Sequence, residues 1–173
     1  MFDRRSFLRG SSVLLAHAAL SQAVTAFAST PRKASHFNEA EMREIRALVD
    51  VILPATDSPS ASEADTHFFI DGAIPLCATA AAQATFRAGL ADLARASFSS
   101  RAAGEQTAWL KARAAQDMPL PYEQSFFKIA KDYTLTGYFL SETGATKALA
   151  YDKVPGGYWG DLPLEPNQKA WVL

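Results

Sequence analysis

Apolar residues recur at three- and four-residue spacing through most of the chain, and no segment alternates convincingly with period two. The pattern predicts helices. Met42, Ile45, Val49 and Ile52 make one stripe, widened by Leu48 and Leu53. Asn38 is placed to cap that helix, Glu41 follows at capping-box spacing, and Phe37 with Met42 can form a hydrophobic staple. Pro54 ends it, and Pro54 to Asp65 reads as a polar loop. Phe68, Phe69, Ile70, Ala73 and Ile74 predict a short apolar helix ending near Pro75. Ala78 to Phe98 is alanine-rich, with Phe86, Leu90 and Leu93 on one face and a break at Ser99-Ser100. Ala102 to Gln116 carries Trp109 and Leu110 on a helix otherwise polar or alanine.

Met118-Pro119-Leu120-Pro121 forces a turn, after which Tyr122 is expected to open a long helix. Its apolar face is read as Phe126, Phe127, Ala130, Tyr133 and Gly137, with Lys128, Lys131 and Asp132 opposite and Gly137 leaving room for a partner helix. Ser141 is a candidate N-cap for a second short helix running to about Tyr151. Beyond it, prolines and glycines replace periodicity. The expected fold is all-α: an irregular bundle of five to six helices in a single domain over residues 37–173, with a long non-regular tail from about 152.

The first residues change the address rather than the fold. Arg4 and Arg5, followed by Phe7 and Leu8, form a twin-arginine pattern, and an uncharged stretch leads to the small-x-small site Ala26-Phe27-Ala28. Residues 1–28 are read as a twin-arginine export signal and residues 29–36 as a linker, which makes the mature protein periplasmic. A disordered basic N-terminus and an uncleaved anchor are the competing readings.

Charge and composition exclude more than they select. The 173 residues are 49% hydrophobic, enough for a sizeable core, and the net charge of −1 gives no reason to expect nucleic acid. Cys77 is the single cysteine, so no internal disulfide can form, and its apolar neighbours predict a buried, inert thiol. Asp57, Glu63, Asp65 and His67 bunch in one loop, but their spacing matches no metal motif, and solvated charge is the expectation. His36 and His67 read as surface or partly buried side chains. Asp132 with Tyr133, or Ser141 with Glu142, could be promoted to a catalytic pair; each reads more simply as a helix-surface group or a cap. No catalytic, metal or dinucleotide motif is present, and the chain itself is expected to carry no cofactor. The tail holds Tyr158, Trp159 and Trp171 among prolines, a composition suited to a partner interface, or to a cover folded back over the chain's own helices.

Three stretches carry a family resemblance. They are Leu48 to Pro59 (LVDVILPATDSP), Phe69-Ile70-Asp71, and Thr134 to Gly160 (TLTGYFLSETG through LAYDKVPGGYWG). Together they resemble the gluconate 2-dehydrogenase subunit 3 family over about Phe37 to Trp171. The resemblance implies a non-catalytic small subunit of a periplasmic sugar or sugar-acid dehydrogenase complex. Its implied partners are a FAD-containing large subunit of the glucose-methanol-choline type, commonly a multihaem cytochrome c subunit, and the twin-arginine export machinery. The implied role is support of the flavoprotein's maturation and export. A free-standing periplasmic enzyme or ligand-binding domain is the alternative.

Overall fold

The computed structural model describes residues 34–151, 156–157, 163, 166 and 168–171. Five α-helices run through them: α1 Glu39–Ile52, α2 Thr66–Cys77, α3 Ala80–Arg95, α4 Ala103–Asp117 and α5 Phe126–Leu140. Single turns at Phe98–Ser100 and Tyr122–Gln124 precede α4 and α5, and a π-type turn at Gly144–Ala148 follows α5. Among the described residues the sole β pairing is an isolated parallel bridge between Ala150 and Trp171. The all-α expectation holds.

Local chemistry sets the boundaries. The Asn38 side chain accepts from the amides of Ala40 and Glu41, and the Glu41 carboxylate accepts from the Asn38 amide, so the capping box at α1 is complete. Thr79 and Ser125 cap α3 and α5. Two boundaries differ from the sequence reading. The segment Tyr122–Gln124 is a separate 3-10 turn and α5 starts at Phe126, because Ser125 supplies the cap three residues after Tyr122. Pro75 lies inside α2 rather than at its end. Pro75 removes one helical hydrogen bond there, and the Gln83 side-chain amide donates to the carbonyls of Pro75 and Ala78, which the helix end leaves free.

Helix α5 packs against all four other helices, and α1 does the same. The centre of the core is aromatic. The Phe86 ring lies 5.9 Å from Phe37 and 5.6 Å from Phe126, and all three side chains are buried. Each such burial contributes about 1.5–3 kcal/mol. Gly89 of α3 sits directly beneath the Phe126 ring, where a Cβ would collide with it. Gly137 of α5 likewise admits Phe69 of α2: a Cβ there would come within 2.5 Å of the ring. The expectation of close approach at Gly137 is met.

The buried stripe of α5 is Phe126, Ile129, Ala130, Thr134, Gly137 and Tyr138. It is rotated from the expected face, because Thr134 can turn inward by donating its hydroxyl to the Ala130 carbonyl. Cys77 corrects a second expectation: it is exposed. The last turn of α2 runs past the core, so Leu76 is 74% exposed beside it.

Candidate partner interface

The buried acidic side chains come first, since an enzyme would build on them. The Asp71 carboxylate of α2 accepts from the amides of Ser35 (2.7 Å), His36 (3.0 Å) and Phe37 (2.8 Å), and from the Ser35 hydroxyl. Burial alone would raise this carboxyl; the donors from Ser35, Phe37 and His36 overcome that and hold it below the usual carboxylate range. Glu44 of α1 accepts from the amide and hydroxyl of Ser99. Asp117 accepts from the Phe127 amide and from Arg113, whose guanidinium also reaches Asp92. The Arg113 bond, with help from Arg95, holds Asp92 low against the opposing effect of burial. Each of these carboxylates fastens one segment of backbone or one helix to another.

The loop after α1 is of the same kind. The Asp50 carboxylate accepts from the Ser62 amide and that of Glu63 from the Ser60 amide. Asp57, Glu63 and Asp65 are exposed, as expected of solvated charges, whereas Ser60, Ala61, Ser62 and Ala64 are buried. His67 is buried too, with its Nδ1 unpartnered, as is the Thr66 hydroxyl. Burial, reinforced by Arg46 and opposed by Asp65 and Asp50, lowers the imidazole's affinity for a proton. Among the described residues no group of three or more His, Cys, Asp or Glu is placed to hold a metal ion.

The two pairs that could have been catalytic have structural tasks. Asp132 accepts from the Tyr122 hydroxyl at 2.8 Å. The Ser141 hydroxyl donates to the Tyr138 carbonyl and accepts from the Gly144 amide, ending α5 and starting the next turn. A cleft of about 390 Å³ lies beside Asp92, Arg95, Trp109, Arg113 and Gln116. Its size suits a small ligand, but its charged side chains are already paired with one another.

What the structure leaves outward is apolar surface at both ends of α5. Met118, Leu120 and Tyr122 are exposed just before its N-terminus; Phe139, Leu140, Tyr151 and Trp171 are exposed at and beyond its C-terminus. The end of the tail lies against the segment that follows α5. The Ala150 amide donates to the Ala170 carbonyl at 2.8 Å, and the Lys169 ammonium donates to the Lys147 carbonyl. That seats Trp171 beside Ala150 with 59% of its surface exposed. The tail's end thus touches the segment after α5 through one backbone bond and one lysine side chain, and leaves an aromatic side chain exposed. Tyr158 and Trp159, and the signal residues Arg4, Arg5, Phe7 and Leu8, lie outside the described residues. Phe139 and Leu140 are exposed apolar side chains that periodicity missed; two large apolar residues after Tyr138, off the buried stripe, are the signal that could have found them.

The three stretches that carry the family resemblance meet in space. The Tyr138 hydroxyl donates to the Pro59 carbonyl at 2.9 Å, and Gly137 receives Phe69. They form the joint between α2, α5 and the loop after α1. Searches of curated proteins and of solved structures return no match. The family model described as gluconate 2-dehydrogenase subunit 3 matches residues 39–156, a span that includes this whole joint and stops short of Trp171, and the chain belongs to that family.

Proposed function

We propose that this chain is the non-catalytic small subunit of a periplasmic, FAD-dependent dehydrogenase complex of the glucose-methanol-choline type, and that it supports maturation and twin-arginine export of the flavoprotein. The observation that carries the reading is the family match over residues 39–156. Support comes from the buried carboxylates of Glu44, Asp71 and Asp117, each engaged by backbone amides rather than facing a cleft. The exposed side chains Phe139, Leu140, Tyr151 and Trp171 are the kind that partner surfaces use. Tyr158 and Trp159 of the same tail are assigned to that interface. FAD, and haem c where a cytochrome subunit is present, belong to the partners. The purified chain alone carries no flavin, haem or metal, which an absorbance scan and metal analysis check.

Flavin is inserted in the cytoplasm, so the flavoprotein crosses the membrane folded. A partner lacking its own signal crosses bound to one that has it. Arg4 and Arg5 are read by a receptor, and replacing both with Lys keeps charge but removes the guanidinium geometry. The test is dehydrogenase activity and flavoprotein antigen in periplasm and cytoplasm of the R4K/R5K strain. Retention of both subunits inside is expected; normal periplasmic activity ends the escort role.

A further inference from the structure

A groove of about 210 Å³ runs between the end of α1, the middle of α4 and the first turns of α5. Its floor is Val51, Ile52, Leu110 and Phe127, and Lys111 and Lys131 stand over it. Both lysines are exposed. Among the described residues the ion pairs are those of Arg95 and Arg113, and neither Lys111 nor Lys131 takes part. The C-terminal end of α1 opens here and carries no basic residue in its last turn. Its carbonyls favour the lysines, but a helix end presents only about half an elementary charge against two ammonium groups. The groove therefore offers net positive charge above an apolar floor.

Size selects the occupant. Drug-sized ligands fill cavities of roughly 300–1,000 Å³, whereas an apolar hole of about 150 Å³ takes one benzene-sized group. A groove of about 210 Å³ suits one large apolar side chain. We propose that this groove receives an acidic segment of the dehydrogenase partner, which inserts one Leu- or Phe-sized side chain between Lys111 and Lys131 while flanking carboxylates pair with the two ammonium groups. The proposal rests on the functional reading above and adds a docking point on the α1–α4–α5 face, whose lining includes none of the exposed side chains at the C-terminal end of α5.

The experiment uses the full chain co-produced with its dehydrogenase subunit. One arm compares wild type with Lys111→Glu/Lys131→Glu for complex affinity across a salt series. Losing and reversing two surface pairs weakens binding by roughly tenfold or more at low salt, and the fall of affinity with added salt seen for the wild-type complex is lost or inverted in the variant. Both lysines are exposed and unpaired among the described residues, so the helical circular dichroism signal stays unchanged. A second arm places a photo-crosslinking residue at Thr107, which lines the groove. The expected product joins it to a partner peptide with Asp or Glu beside a large apolar residue. Undiminished affinity of the double variant overturns the proposal, as does a crosslink to a non-acidic segment, to lipid or to a second copy of this chain. A wild-type chain that binds no dehydrogenase subunit brings down the functional reading and this proposal together; a wild-type complex indifferent to the lysines brings down this proposal alone.

Discussion

Two non-helical segments end on the helices of this protein, and they are held in opposite ways. Residues 35–37 are fastened by a buried carboxylate that takes three amides and a hydroxyl, and the last side chain of the segment, Phe37, is 4% exposed against Phe86. Residues 169–171 are fastened by one backbone amide and one exposed lysine, and Trp171 is 59% exposed. Both segments bring an aromatic ring. What differs is the anchor: an ionised acceptor inside the bundle fixes the first ring as core, while two neutral carbonyls at the rim leave the second available. Aromatic content alone does not say which outcome a segment has.

The sharpest way to break the contrast is Asp71→Ala. It removes four hydrogen bonds to a charged acceptor, and two of the three amides can turn to water, so the expected loss is about 3 kcal/mol in a denaturant titration. The sign with pH follows from the depressed carboxyl: its contribution is present at neutral pH and is lost as pH falls below the ordinary carboxylate value of about 4 and through its own lower one. The gap between wild type and variant should close in acid, and a gap constant down to the acid transition would show that the carboxylate is not the anchor.

Gly137→Ala comes next. Overpacking costs about 1–3 kcal/mol and the gain in helix propensity returns about 1. With the contacts to Phe69 falling on Cδ1, Cγ and Cβ rather than on a free tip, a net loss near 1–2 kcal/mol is expected. A stabilised variant would mean that α2 and α5 yield easily. Tyr138→Phe deletes one hydrogen bond to the Pro59 carbonyl and should cost about 1 kcal/mol, with faster amide exchange confined to residues 53–65. Trp171→Ala sharpens the other side: thermal stability within about 0.5 kcal/mol of wild type, but weaker retention of the dehydrogenase partner in pull-down. A large drop in melting temperature would make Trp171 core cover instead.

Local signals in the sequence carried most of the helices. Asn38 with Glu41, Pro54 and the Gly137 notch each act within a turn or across one contact, and each appears where periodicity put it. Longer-range facts were not legible. The polar loop after α1 is a loop, yet Ser60, Ala61 and Ser62 are buried, because its backbone finds partners in Glu63 of the loop, in Asp50 of the preceding helix and in Tyr138, 79 residues from Pro59. The role of Asp71 was invisible for the same reason, its donors lying 34 to 36 residues away. Cys77 misled because an apolar run at a helix end can overshoot the core. Of the candidate interface, Trp171 was legible from composition; Phe139 and Leu140 required knowing which way α5 turns its buried stripe.

The bond from Tyr138 to Pro59 closes 79 residues of chain. Closure entropy grows only with the logarithm of loop length, so the bond is affordable once formed, but it cannot form before α5 has docked. The loop at 53–65 is therefore expected to be the last part of the protein to lock and the first to open. In kinetic terms, Tyr138→Phe should leave the refolding rate unchanged and raise the unfolding rate, since the phenol's hydrogen bond ties this loop to α5.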